Sequence, residues 1–260
     1  MMTIYSLIDD IGARGEHGLS LHITLSDGQH ILFDMGQGER LKHNAETFGI
    51  DLNAVQIAVI SHGHYDHGGG LATFMATNAH APIYIHRRAF DKHYSIREDG
   101  KHFIGLVCPQ DMNRLVLCGD MVRINDHITL FSDVHGKRLM PTDNQRLLGN
   151  DGVTMDDFGH EMNMIIRDGD ISVLVVGCGH KGIVNILERA REIIGSAPTY
   201  VVAGMHLKDS TNIASVAAEL ATYPSIFYTM HCTGLEAYEQ LHTQLGEHIH
   251  YLHCGDQIQL

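Results

Sequence analysis

"VISHGHYDHGGG", Val59 to Gly70, ends an apolar run with three histidines and an aspartate and then enters a glycine cluster. The run before it, Val55 to Ile60, reads as a short buried strand, so the cluster falls on a loop at that strand's C-terminal end. In an extended loop His62 and His64 stand two residues apart and project to the same side, where both reach one cation. Asp66 and His67 follow on the turn and face a second. Imidazoles with a carboxylate and no cysteine pair favour zinc, with manganese or iron as alternatives, in an open catalytic site rather than a closed structural one. Gly63 and Gly68-Gly69-Gly70 let the backbone fold tightly around the ions and begin the next helix.

Upstream, Thr3–Ile8 reads as a strand, and "LSLHITLSDGQHILFDMG" as two strands joined at Asp27-Gly28, a dipeptide suited to a tight turn. Glu39–Phe48 and Leu71–Asn78 have helical spacing, and "PIYIH" is strand-like. The irregular stretch from Asp91 to Asn113 lies in a region, 91–148, expected to form a lid or insert. Four short strand patterns follow, at "MVRIND", "ITLFSDV", "MNMIIRDG" and "ISVLVVGCGH". The last third alternates helices at Val184–Ile194, Asn212–Ala221 and Leu235–Leu245 with strands at "TYVVAG", "SIFYTMH" and Ile249–Leu252. The expected architecture is a single α/β domain over 1–260, an αββα sandwich of two mixed sheets with helices on the outer faces.

Composition narrows the function. At 44% hydrophobic and 19% charged the chain is an ordinary globular protein. A net charge of -13 disfavours nucleic acid and anionic membranes, both of which need clustered cations. A small-molecule substrate is the expected partner. Five cysteines, Cys108, Cys118, Cys178, Cys232 and Cys254, make an odd and scattered set that argues against a disulfide framework. The N-terminus has no signal-like pattern and no window reaches the length of a membrane span, so the expected compartment is the cytoplasm. Tyr84–Asn113 suits a lid or a contact between copies in a homo-oligomer.

"SHGHYDHGGG" resembles the HxHxDH signature of the metallo-β-lactamase superfamily, and the order of elements matches that superfamily's αββα sandwich. The resemblance implies two divalent ions. It makes His62, His64, Asp66 and His67 ligands, and gives Asp34, at the end of "ILFDMG", the role of orienting the loop through hydrogen bonds. It places His160 of "DDFGHEMNMII" as a ligand of the first metal and His231 of "YTMHCTG" as the residue completing the second. Where the superfamily usually has Gly-Asp, with the aspartate bridging the metals, this chain has Gly177-Cys178-Gly179-His180. A Cys178 thiolate can ligate or bridge in its place, and His180 can replace the oxygen ligand from slightly further along.

"GCGHKGIVNI", "VVAGMHL" and "MHCTGLEA" together look like the branch that includes the 7,8-dihydropterin-6-methyl-4-(β-D-ribofuranosyl)aminobenzene-5'-phosphate synthases, and that pattern places His206 near the pocket. The implied reaction is hydrolysis by a metal-activated water. Asp66 would serve as ligand and proton acceptor, while His180 or His206 stabilises negative charge or protonates the leaving group. Lys181-Gly182 before the helix offers an anion-attracting start that suits a phosphorylated substrate. The rival readings are a pterin-type condensation with the metals as Lewis acids on a diphosphate, di-iron redox chemistry, and non-catalytic sensing of a metal or ligand.

Overall fold

The computed structural model describes residues 1–260. β1 (Thr3–Ile8), β2 (Ser20–Thr24) and β3 (His30–Phe33) form an antiparallel meander. β4 (Ile57–Ile60) and β5 (Ile83–His86) continue it in parallel, connected through α1 (Arg40–Phe48) and then through α2 (Tyr65–Gly68) and α3 (Leu71–Thr77). A hairpin, β6 (Tyr94–Arg97) and β7 (Gly100–Phe103), leaves the sheet before β8 (Leu115–Cys118) returns to its edge beside β5. The chain then crosses over. β9 (Met121–Arg123) and β10 (Ile128–Phe131) precede β11 (Leu147–Leu148), which pairs with β6, and β12 (Asn163–Asp168) and β13 (Ile171–Val176) follow. α4 (Ile183–Ile194), β14 (Tyr200–Ala203), α5 (Ile213–Leu220), β15 (Ile226–Thr229), α6 (Leu235–Leu245) and β16 (Ile249–Tyr251) then alternate, and β17 (Gln257–Gln259) closes back on β1.

Two seven-stranded sheets result, ordered β17-β1-β2-β3-β4-β5-β8 and β16-β15-β14-β13-β12-β10-β9, with a small third sheet, β11-β6-β7. The two-residue period of a strand explains their stacking. In β4, Ile57 and Val59 face the other sheet and meet a core that includes Met164, Val173 and Val202. Ala58 and Ile60 face outward onto Leu41, Leu71 and Phe74 of α1 and α3. A strand covered on both faces has no polar side to show, which is why "IAVI" is unbroken. The second sheet buries Leu174, Val176 and Val201 under α4, α5 and α6 in the same way. The αββα sandwich follows from those two outer layers and the shared inner one. No helix is long and apolar enough to cross a membrane.

The 91–148 region does not stay together as one lid. β8 completes the edge of the first sheet and β9 and β10 enter the second, so only β6, β7 and β11 stand apart from the sandwich. Leu115–Cys118 and Gln257–Gln259 carry strands that the sequence pattern did not single out. Each lies at a sheet edge, where exposure of residues such as Val116 and Leu117 removes the inside-outside alternation.

β3 to β5 run parallel, as do β13 to β16, so the loops leaving β3, β4, β13, β14 and β15 follow strand C-termini. Those loops carry Asp34, His62–His67, Cys178–His180, His206 and His231. An open α/β sheet binds ligands at this kind of edge.

Away from that edge, buried His22 on β2 has its Nε2 3.2 Å from Nδ1 of His30 on β3. Burial, with His30 beside it, pushes the His22 imidazole down to about 4. The unfolded chain therefore binds a proton that the folded chain refuses between pH 6.5 and 4, so this contribution is complete above 6.5 and is lost as pH falls toward 4. His22→Gln is expected to remove about 1–2 kcal/mol of the stability lost between pH 7 and pH 5, read by urea unfolding at each pH. Equal losses in the two proteins would contradict this assignment.

Candidate metal centre

The carboxylate of Asp34 organises the histidine loop. Its Oδ1 accepts the Ser61 N–H at 2.7 Å, and its Oδ2 accepts the Ser61 hydroxyl and the His67 Nδ1–H, each at 2.7 Å. Ser61 Oγ in turn lies 2.8 Å from His62 Nδ1, so the proton on His62 is held at Nδ1. Each ring is left with a bare Nε2. The same contact orients the other two, although against burial Cys232, Asp10 and Asp66 push the His231 imidazole well above its usual range, so a cation at its Nε2 would displace a proton. His231 Nδ1 donates to Asp10 at 2.6 Å, and His180 Nδ1 donates to Asn144 at 3.1 Å.

The bare nitrogens converge in two sets. In one, Asp66 Oδ2, His67 Nε2 and His231 Nε2 meet and Cys178 Sγ joins through His67, which lies 3.1 Å from the sulfur, 3.2 Å from His231 and 3.6 Å from Asp66, with Asp66 3.4 Å from His231; the sulfur also groups with His62 and His67. Ligands at tetrahedral zinc distances stand about 3.3–3.7 Å from one another. These donors therefore fit such an ion. The second set pairs His62 Nε2 with His64 Nδ1 at 3.0 Å and adds His180, whose buried Nε2 has no protein partner. Burial, and then the neighbouring imidazoles, pushes His62, His64 and His180 well below the usual range, so all three are neutral and able to ligate. Burial opposes ionisation of Asp66, but His67, His231 and His17 outweigh it and hold the carboxyl down. Burial, with Cys232 beside it, pushes the Cys178 thiol up, so its thiolate requires a cation.

His160 stands differently. Its Nδ1 accepts the Gly63 N–H at 3.0 Å and its Nε2 lies 3.3 Å from Asp156 Oδ2, so both nitrogens are engaged by protein. Its donor groups with those of His64, His93 and Asp156, and the ring supports the loop at which motif order had placed it as a ligand. His206 lies over His180, ring centroids 4.3 Å apart, and both of its nitrogens are buried without a partner. Asp34, Phe158, His206 and His231 all hold positive φ, between 48° and 60°. Strain of that kind concentrates where surrounding contacts over-determine a functional side chain.

Several supporting residues carried no signal of their own. Asp10 and His17 lie in the loop after β1, and Asn144 in a short helical turn before β11. Fully buried Glu161 accepts the His180 N–H at 2.6 Å and the Lys181 N–H at 2.8 Å, one on each oxygen. Burial pushes its carboxyl up to about 7 against those two donors. The Lys181 N–H is thus spent on Glu161 and is not offered to an anion. A cavity of about 160 Å³ opens over the donors, lined among others by Tyr65, Arg97, His180 and His206, and a second of about 210 Å³ is lined by His17, His206 and Lys208.

Residues 14–178 match the model of the metallo-β-lactamase superfamily, and the chain belongs to that superfamily. Its members are mostly hydrolases, and its fold implies binding of divalent metal. A curated relative from Methanocaldococcus jannaschii, 27% identical over 97% of this chain and 94% of its own length, is a 7,8-dihydropterin-6-methyl-4-(β-D-ribofuranosyl)-aminobenzene-5'-phosphate synthase. Among solved structures, Tm1679, a metal-dependent hydrolase of the β-lactamase superfamily, superposes with a TM-score of 0.84 at 26% identity, covering 100% of this chain and 99% of that one. The fold protein YhfI from Bacillus subtilis matches over 100% of both chains with a TM-score of 0.61 at 12% identity, a likeness of fold alone.

Glu161→Gln replaces one acceptor with an NH2 group facing a backbone N–H, donor against donor. The turn bearing Cys178 and His180 is then expected to shift and zinc affinity to fall about ten-fold or more, with the circular dichroism spectrum retained. An unchanged zinc titration would separate Glu161 from the site.

Proposed function

We propose that this chain is a hydrolase that works through two divalent ions, zinc first and manganese or iron as alternatives, on a small phosphorylated substrate. The observation that carries the reading is the pairing of each inward nitrogen with an outward anchor. Ser61, Asp34, Asp10 and Asn144 hold His62, His67, His231 and His180 in the tautomers that leave Nε2 bare. A structural cluster of histidines has no use for so many aligned lone pairs. In this reading His62, His64 and His180 hold one ion, and Asp66, His67, Cys178 and His231 hold the other. Bound there, divalent ions supply Lewis acidity and bring the pKa of a bound water down toward neutrality.

The chain's own groups would do the rest. Asp66, beside His17 at 3.3 Å, can accept a proton and pass it toward solvent through that half-exposed ring. His206, with both nitrogens unpartnered, is placed to protonate a leaving group. Arg97 lines one cavity beside Asp66 and Asp143, and Lys208 lines the other beside Asp10, Asp143 and Asp209; neither cation is held in an ion pair, which leaves each free to meet an anionic substrate. Exposed Ile96 and Phe103 on the β6–β7 hairpin suit closure over a substrate or contact with a second copy. A thiol ligand at Cys178 suits a reducing compartment, the cytoplasm.

One observation favours a second reading. The Methanocaldococcus relative spans nearly the whole chain and is a synthase, so the same donors could act on a diphosphate leaving group without attack by water. Metal content by plasma mass spectrometry on untagged protein tests the centre: about two equivalents are expected, falling toward one in Cys178→Ala and in His180→Ala. One equivalent or less, unchanged in both variants, would sink the dinuclear reading. Turnover of phosphoesters or lactones by the loaded protein supports hydrolysis. Release of diphosphate from a dihydropterin diphosphate only with an aminobenzene acceptor moves the assignment to the synthase, and binding without turnover moves it to sensing.

A further inference from the structure

His93, just before β6, and Asp156, in the loop before β12, are buried and outside every role described so far. With His64 and His160 they bring four potential ligand atoms within 4.8 Å of one another. Such a cluster is either a further metal position or a hydrogen-bonded support. Counting protons separates the two. The Gly63 N–H donates to His160 Nδ1 at 3.0 Å, so the single proton of a neutral His160 sits on Nε2, 3.3 Å from Asp156 Oδ2. A cation at that nitrogen would demand an imidazolate. Both oxygens of Asp156 are also engaged, Oδ2 by the His93 Nδ1–H at 2.8 Å and Oδ1 by the Phe158 N–H at 2.7 Å.

His93 Nε2 is then bare, buried and without a partner. The other orphan here is His64 Nε2, also buried. In the proposed centre His64 ligates through Nδ1, which faces His62 Nε2 at 3.0 Å, and its proton then belongs on Nε2. With His64 ligating through Nδ1, one orphan is a donor and the other an acceptor, and their rings stand 5.7 Å apart. That is within about half an ångström of the separation an ordinary N–H···N bond between two imidazoles requires. Gly63, between the two ligands, lies against His93: a Cβ there would meet His93 Nε2 at 2.7 Å and Ala89 O at 2.3 Å.

We propose that His93 and Asp156, braced by His160, are positioning residues for His64: His93 Nε2 accepts the hydrogen bond of the His64 Nε2–H, Asp156 fixes the His93 tautomer, and together they hold the form of His64 whose Nδ1 faces the metal. The inference rests on His64 being a ligand, as in the proposed dinuclear centre. It gives His160 a purpose in a chain where His180 supplies the imidazole.

The test titrates zinc and cobalt(II) into apoprotein against a chromophoric chelator, for wild type, Asp156→Asn, His93→Ala and His93→Gln. The wild-type stoichiometry judges the dinuclear centre, and the ratio of affinities between proteins judges the positioning role. One equivalent is expected to weaken about 10–100-fold in Asp156→Asn and His93→Ala, with the other equivalent and the apoprotein melting curve retained. His93→Gln, which keeps an acceptor, is expected to recover part of the loss and of the cobalt d–d spectrum. Equal affinities in all four proteins would overturn the proposal, as would a third equivalent in wild type that His93→Ala abolishes. If Asp156→Asn fails to fold, the His93 pair carries the comparison alone.

Discussion

Asp34 sits fully buried at the end of β3 with positive φ, and its two oxygens collect the Ser61 N–H, the Ser61 hydroxyl and the His67 ring. A buried carboxylate needs such donors, since burial without them costs several kcal/mol. The satisfied group ties the ends of two parallel strands together and sets two histidine tautomers at once. Gly177 completes the arrangement from the other sheet: a Cβ there would lie 2.2 Å from Ser61 Oγ and 3.3 Å from Asp34 Oδ2. The glycine before Cys178 is thus demanded by the carboxylate on the facing sheet.

The same economy runs through the rest of the site. Every imidazole proposed to face an ion through Nε2 has its Nδ1 proton committed to an oxygen, so the ring cannot turn without losing a buried hydrogen bond. The "GHE" triplet supports two loops by accepting from both: His160 accepts the Gly63 N–H of the first and Glu161 accepts the N–H groups of His180 and Lys181 on the other. His180 Nε2 is left without a protein partner, whereas both nitrogens of His160 are engaged by protein.

Much of this was legible in the chain. The run into His62 reads as a buried strand because both of its faces are covered, and the strand and helix alternation of the last third gives parallel β13 to β16 by local pattern alone. His62, His64, Asp66 and His67 declare themselves because their spacing is itself the geometry. Asp10, His17, His93, Asn144, Asp156 and Glu161 do not. Each is a polar residue outside the strands and longer helices, indistinguishable in sequence from a solvated one.

The amino-acid sequence by itself determined the sandwich, the edge at which function collects, and the histidine loop, since these depend on periodicities of a few residues and on turns that glycine permits. Only the tertiary structure decided which nitrogen of each histidine is bare. That depends on a second contact: from Asp34, directly or through Ser61, for His67 and His62, from Asp10 in the loop after β1 for His231, and from Asn144 before β11 for His180. A proton on the wrong nitrogen would leave the same sequence with a ring facing the site and no lone pair to offer.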